Sequence, residues 1–176
     1  MADGELIVEG DAGDWAGAEM RGGQLAVRGS AGRGLGGAYA GTRDGMRGGE
    51  IVVHGDAGEE VGAGLRRGLI AVAGRVGAAA GLSALAGTIV VLGALGARPG
   101  AGMRRASIVA MTAAKLLPTY ALACTYRPPF VRLCLRRLRD LGLPVSEEQI
   151  EGRYTRWSGD GAELRRGEIL FLEPPA

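Results

Sequence analysis

This sequence of 176 residues contains one histidine, two cysteines and one lysine, and these low counts exclude several kinds of active site. His54 does not combine with Cys124 and Cys134 into a zinc-binding pattern, and it is interpreted as a surface residue. No GxxxxGK[ST] loop for nucleotide phosphates is present. The sequence leaves a disulfide open, although two free thiols in a cytosolic chain are the simpler interpretation. We therefore predict no catalytic residues, no metal ligands and no cofactor-binding residues in this chain.

The chain also has little net charge and begins without a recognisable targeting signal. It starts MADGELIVEG, which has neither the basic nor the apolar region of a signal peptide, so we expect a cytoplasmic protein. A formal net charge of +2 gives little support for a nucleic-acid partner. Residues 76–97 carry no charge and are long enough to cross a bilayer. They keep the glycine spacing of their neighbours, however, and we predict that they are buried rather than membrane-spanning.

What the sequence does contain is an internal repeat marked by glycine, which accounts for 33 of its residues. The repeats start at Gly4, Gly23, Gly49, Gly68 and Gly87. The period is 19 residues, except for one interval of 26 whose additional residues lie in GAYAGTRDG, after Gly36. Further glycines follow six, nine and thirteen residues after each start. These predicted structural corners are Gly10, Gly13, Gly17, Gly29, Gly32, Gly36, Gly55, Gly58, Gly62, Gly74, Gly77, Gly81, Gly93, Gly96 and Gly100.

Aliphatic residues occupy two fixed places, two residues apart, near the start of each repeat. They are Leu6, Leu25, Ile51, Ile70, Ile89 and Ile108 at the first place, and Val8, Val27, Val53, Val72, Val91 and Ala110 at the second. Residues two apart in a strand point to the same face, so each repeat predicts one strand followed by glycine turns. A period near 19 is too short for two helices and suits one turn of a β-helix. The repeat therefore predicts an all-β solenoid, a parallel β-helix with about 19 residues per coil.

We predict one domain over residues 1–176, with the glycine-repeat coils at 4–112. Residues 113–166 are predicted to form an irregular crossing segment and one helix, which opens at Pro128 and Pro129. The predicted apolar face of that helix is Phe130, Leu133, Cys134, Leu138 and Leu141. A capping box of Ser146 and Gln149 opens one further turn. Because GAELRRGEILFL at 161–172 matches GAGLRRGLIAVA at 62–73, we expect a returning strand at 167–172 with Ile169 and Phe171 inward.

Two ladders of the repeat are candidates for binding surfaces. The apolar ladder between the core positions consists of Ile7, Ala26, Val52, Ala71, Val90 and Val109. It is covered either by the chain's own helix or by a partner subunit. The basic ladder consists of Arg21, Arg47, Arg66 and Arg104, with Arg67, Arg105, Arg165 and Arg166 beside it. It is either a contact for carboxylate or phosphate groups, or a solvated face with nearby glutamates.

The repeat and the C-terminal segments together resemble a known family. The GxxGxxxG pattern resembles the glutamate synthase C-terminal domain and the related glycine-repeat subunit of formylmethanofuran dehydrogenase, which share a GXGXG repeat. CTYRPPFVRLCLRRLRDLG at 124–142 and GRYTRWSGDGAELRRGEIL at 152–170 resemble the bacterial version of this glycine-repeat subunit, which belongs to a formyltransferase/hydrolase complex. The likeness covers nearly the whole chain. One departure is that Gly4 opens a repeat almost at once, whereas family members carry more sequence before it.

The resemblance implies a right-handed parallel β-helix that acts as a non-catalytic scaffold subunit in one-carbon metabolism. It implies amidohydrolase-like and formyltransferase-like partner subunits. A methanofuran-type carrier, tetrahydromethanopterin and any metals are expected only in those partners. Two alternatives remain open: a glutamate synthase-type β-helix that links catalytic domains, and a module that binds a polyglutamylated carrier through the arginine ladder. The resemblance does not distinguish a hydrolytic complex from the archaeal redox complex.

Overall fold

A computed structural model describes residues 1–174 and consists mainly of one nine-stranded sheet. The strands are β1 (Glu5–Val8), β2 (Gln24–Val27), β3 (Glu50–Val53), β4 (Leu69–Val72), β5 (Thr88–Val91), β6 (Ser107–Ala110), β7 (Ala121–Tyr126), β8 (Tyr154–Ser158) and β9 (Glu168–Leu172). The helices are α1 (Pro129–Asp140) and α2 (Glu147–Glu151), and a short 3-10 turn spans Gly161–Glu163. The strand order across the sheet is β1-β2-β3-β4-β5-β6-β9-β8-β7.

Strands β1 to β6 are parallel and in register with the sequence repeat. Leu25 of β2, for example, pairs with Leu6 of β1 on one side and with Ile51 of β3 on the other. The repeat spacing therefore sets the strand register, because equivalent aliphatic residues must stay on the same face of the sheet. The strands predicted at the start of each repeat are confirmed.

The predicted fold class, an all-β right-handed parallel β-helix with one helix, is wrong in this structure. The described residues form one mostly parallel sheet, and they include two helices. A β-helix requires each turn to contribute strands to more than one parallel sheet, but each repeat here contributes one four-residue strand. The rest of each repeat is turns, connected by the isolated parallel bridges Ala12↔Ala31, Ala31↔Ala57, Ala57↔Val76 and Val76↔Leu95.

The C-terminal part completes the sheet with strands that the repeat does not predict. Strand β9 lies parallel to β6, and Ile169 and Phe171 are buried beside Ile108 and Ala110. Strand β8 is antiparallel to β9, and β7 is antiparallel to β8. Residues 121–126, which were expected to be irregular, are therefore a strand at the edge of the sheet.

Helix α1 packs against the sheet through a different face from the one predicted. Its buried residues are Val131, Leu135 and Leu138, whereas Leu133 is 68% exposed. The three buried positions follow the spacing i, i+4, i+7, which describes one face of a helix. The second helix, α2, begins with the predicted capping box of Ser146 and Gln149.

Both faces of the sheet are buried, so the fold has two apolar cores. One core contains the paired aliphatic positions and the turn residues behind them, such as Leu35 and Leu65. The other contains the apolar ladder of β3 to β6 and is covered by α1, α2 and β8. Of the two alternatives for that ladder, cover by the chain's own C-terminal part is therefore the one observed for Val52 to Val109. Ile7 of β1 is an exception, since it is 44% exposed.

Two further expectations bear on the chain's surroundings. Within residues 1–174 no helix has the length and hydrophobicity needed to cross a bilayer, and the uncharged segment 76–97 forms turns and strand β5. Cys124 and Cys134 are both free thiols. Burial raises the pKa of Cys134.

Candidate functional site

The predicted corner glycines fall into two structural groups. Thirteen residues after each repeat start, the backbone φ is positive, between 63° and 69°, which favours glycine. This group is Gly17, Gly36, Gly62, Gly81 and Gly100. The glycines at six and nine residues do not have positive φ. Most of them lie where two successive repeats approach closely: a Cβ on Gly77 would lie 2.7 Å from the carbonyl carbon of Gly58.

The arginines of the basic ladder are largely paired with acidic residues of the same chain. Asp44, in the longer interval of the repeat, accepts from Arg66 at 2.9 Å and lies 3.3 Å from Arg47. Arg104 donates to Glu163 of the 3-10 turn at 2.9 Å. These pairs are exposed, so each adds little to stability. They nevertheless neutralise part of the ladder.

The remaining residues of the ladder lie on the surface. Arg21, Arg67, Arg105, Arg165 and Arg166 are exposed, and none forms a salt bridge within the described part of the chain. The basic ladder is interrupted at Leu85, which occupies the equivalent place between Arg66 and Arg104. The prediction that these arginines contact an anion or a partner stays a prediction.

An open cleft of about 1010 Å³ lies between the basic ladder and the longer interval of the repeat. Arg66 and Arg104 line one part of it, and Trp15 and Tyr39 line another, with their ring centres 5.8 Å apart. Arg33 lies over Trp15 at 6.0 Å. The cleft combines aromatic surface with both signs of charge and can contact an extended ligand. It contains no arrangement of nucleophile and base.

His54 is half-buried and has a partner that the sequence did not predict. Its Nε2 atom lies 3.0 Å from Nη1 of Arg28, so the neutral imidazole accepts this hydrogen bond. Burial lowers the pKa of His54, and the positive charge of Arg28 lowers it further. The interaction is structural, because no carboxylate or nucleophile completes a catalytic set around it.

Asp160 is the one buried charged residue in the described chain, and sequence reasoning missed it. Its carboxylate accepts hydrogen bonds from the backbone N–H groups of Gly102 and Ala162 at 2.9 and 3.0 Å. Burial raises the pKa of Asp160, but these hydrogen bonds outweigh burial and the net pKa is lowered. Asp160 therefore fastens the C-terminal segment to the last repeat. A single Asp after a Ser-Gly pair gave no signal for this role.

The chemistry of residues 1–174 favours binding over catalysis. No group of three or more His, Cys, Asp or Glu side chains is arranged to hold a metal ion in this part of the chain. The strongest polar arrangements are paired surface charges and the buried carboxylate of Asp160. Each has a structural explanation in the contacts given above.

No protein-family model and no curated protein matches this chain. Among solved structures, it is similar to a chain in the crystal structure of the formyltransferase/hydrolase complex (FhcABCD) from Methylorubrum extorquens in complex with methylofuran. The TM-score is 0.90 and the sequence identity is 40%. The match covers 99% of this chain and 65% of that chain, so part of the longer chain has no counterpart here. The two chains share one fold over nearly all of the sequence described.

Proposed function

We propose that this chain is the non-catalytic glycine-repeat subunit of a formyltransferase/hydrolase complex of one-carbon metabolism. The observation that carries the proposal is the similarity to a chain of such a complex, at 40% identity over 99% of this chain. Such identity over a whole domain supports a shared place in an assembly. The resemblance of residues 124–142 and 152–170 to the bacterial glycine-repeat subunit supports the same assignment.

In the proposed assembly, the chemistry belongs to other subunits. An amidohydrolase-like subunit hydrolyses the formyl carrier to formate, and a formyltransferase-like subunit moves the formyl group from tetrahydromethanopterin to a methanofuran-type carrier. Metals and carriers bind in those subunits, and the complex is cytoplasmic. The hydrolytic complex is preferred to the redox complex because the similar structure is named a formyltransferase/hydrolase complex.

The architecture of this chain suits a supporting role. Its sheet has buried residues on both faces, and its aliphatic positions pair in register from strand to strand. A rigid domain of this kind holds its surface groups at fixed positions, which favours the docking of larger partners.

Native purification from the source organism tests the proposal. A tag on this chain is expected to recover amidohydrolase-like and formyltransferase-like subunits at stoichiometric levels. The recovered complex should release formate from a formylated carrier, whereas this chain alone should not. The variant His54→Gln should leave the specific activity of the assembled complex unchanged. Recovery of the chain alone, or with a subunit that binds a metal–pterin cofactor, would contradict the hydrolytic assignment.

A second candidate function is direct binding of a polyglutamylated carrier in the cleft. The observation that favours it is the position of Arg66 and Arg104 on the cleft wall, beside the aromatic rings of Trp15 and Tyr39. Asp44 and Glu163 compete for the same guanidinium groups. Calorimetric titration of the chain with an oligoglutamate peptide should show binding that weakens with added salt. No heat of binding at low salt would eliminate this candidate.

A further inference from the structure

Strand β1 is at one edge of the sheet, and half of its backbone groups have no neighbouring strand among the described residues. The carbonyl oxygens of Gly4 and Val8 accept from the N–H groups of β2 and the residue after it, both at 2.8 Å. Alternate residues of a strand direct their backbone groups to opposite sides. The N–H and C=O groups of Glu5 and Ile7 therefore point away from β2, toward the open side.

The aliphatic residues of β1 are exposed on both faces of the sheet. Leu6 is 53% exposed, whereas Leu25 at the equivalent place in β2 is 5% exposed. Ile7 is 44% exposed, whereas Ala26 is 7% exposed. In the interior of the sheet, strands on both sides cover these positions. The open edge thus presents unpaired backbone groups together with apolar surface, a combination that promotes strand addition.

Two glycines of the first repeat reserve space for another backbone. A Cβ added to Gly29 would lie 2.8 Å from the carbonyl group of Gly10, and one added to Gly32 would lie 2.7 Å from the nitrogen of Asp14. Glycine is required at those places because the preceding repeat passes directly beside them. At Gly10 and Gly13 a Cβ would meet nothing within 4 Å, and neither residue has positive φ. Nothing within the described chain therefore requires glycine at these two positions.

The open edge is also strongly acidic. Residues 1–20 contain six acidic residues and no Lys or Arg, whereas the rest of the chain contains 13 acidic and 21 basic residues. The acidic residues are Asp3, Glu5, Glu9, Asp11, Asp14 and Glu19. None of the six forms a salt bridge with another described residue. A partner at this edge is favoured if it is basic.

We propose that the β1 edge binds a basic segment of a different polypeptide, which adds a strand beside β1 and passes its following turn over Gly10 and Gly13. Aliphatic side chains at successive positions of the added strand cover Leu6 on one face and Ile7 on the other. A second copy of this chain is the less suitable occupant. Antiparallel pairing of two β1 strands about Ile7 places Glu5 opposite Glu9 of the other copy, and like charges oppose pairing. The proposal does not depend on which complex contains the chain.

Carbodiimide cross-linking of the natively purified assembly tests this proposal, because the reagent joins carboxylates directly to lysine amines. Lys115 is the single lysine of this chain, so a cross-link to any other lysine identifies a second polypeptide by its peptide mass. Cross-links are expected from Glu5 and Glu9 to lysines of a different protein. Hydrogen exchange of the amides of β1 should be slower in the assembly than in the isolated chain by at least about tenfold.

Two double variants make the result specific to this edge. Gly10→Ala with Gly13→Ala should leave the unfolding midpoint of the isolated chain unchanged, and should reduce the cross-link yield and the amide protection by at least about tenfold. Glu5→Lys with Glu9→Lys should weaken the docking by reversing its charge, which is read from the same amide protection. Unprotected β1 amides in an assembly that still contains its other subunits would overturn the inference but leave the proposed function intact. Cross-links to Lys115 or to another segment of the same polypeptide would also overturn it.

Discussion

Substitution of Gly77 by alanine tests whether close contact between repeats explains the recurring glycine spacing within this chain. Gly77 does not have positive φ, so the backbone conformation alone does not require glycine. The added Cβ would lie 2.7 Å from the nitrogen of Glu59 and from the carbonyl carbon of Gly58. Both neighbours are backbone atoms, so no side-chain rotation relieves the contact.

The expected loss of stability comes from the hydrogen bonds that the added methyl group displaces. The N–H of Gly77 donates to the carbonyl oxygens of Ala57 and Gly58, both at 3.0 Å. Restoring an ordinary contact of about 3.4 Å moves the two repeats apart by roughly 0.7 Å, beyond hydrogen-bond distance. Two lost bonds cost about 1–3 kcal/mol. The reduced freedom of the unfolded chain offsets about 0.4–1 kcal/mol of this loss.

Urea unfolding followed by circular dichroism measures the difference, with Gly13→Ala as the matched control. Gly13 holds the same place in the first repeat, where a Cβ meets nothing within 4 Å. The control should change the free energy of unfolding by less than about 0.5 kcal/mol, or stabilise slightly. For Gly77→Ala we expect a net loss of about 2 kcal/mol, or a midpoint lower by about 4–8 °C in a thermal scan. Equal effects of the two substitutions would refute the close-contact explanation.

Three further predictions concern the parts that fasten the fold together. Asp160→Asn should lower the free energy of unfolding by about 1–2 kcal/mol, because an amide cannot accept two N–H bonds, including the one from Gly102, as a carboxylate does; an unchanged urea midpoint would contradict this. Because the pKa of His54 is lowered by burial, the folded state binds its proton less readily than the unfolded state. Stability should therefore decrease as pH falls below about 6.5, and His54→Gln should flatten unfolding curves measured between about pH 7.5 and 5.5. Leu135→Ala should cost about 2–5 kcal/mol, since Leu135 is fully buried, whereas Leu133→Ala on the exposed side of the same helix should cost less than about 0.5 kcal/mol in the same urea assay.

The positions of the six repeat strands could be predicted because one physical constraint determines them all. Equivalent residues must share a face of the sheet, so the aliphatic pairs in Leu25–Val27 and Ile51–Val53 specify both the strand and its register. The number of sheets could not be predicted in the same way. Glycine turns with single bridges between them and turns that contain full strands have the same spacing, and that ambiguity led to the wrong fold class.

The C-terminal part was harder to predict because its strands are defined by distant partners. The segment ALACTY at 121–126 has no aliphatic alternation, and it becomes a strand by pairing with β8, about thirty residues later in the chain. The face of α1 was misassigned for a related reason. Both Leu133 and Leu135 fit an apolar stripe, and only the position of the sheet determines which of them is buried.

The distribution of paired charges favours the β1 edge over the basic ladder as a determinant of recognition. The ladder attracts attention in the sequence because arginine recurs there, yet Arg47 and Arg66 share Asp44, and Arg104 has Glu163. An external anion has to displace these carboxylates before it binds. The acidic residues of the first repeat have no such partners in the described chain, and the apolar side chains beside them are exposed. A basic partner at that edge gains charge pairing, backbone hydrogen bonds and apolar contact without first breaking a salt bridge within this chain.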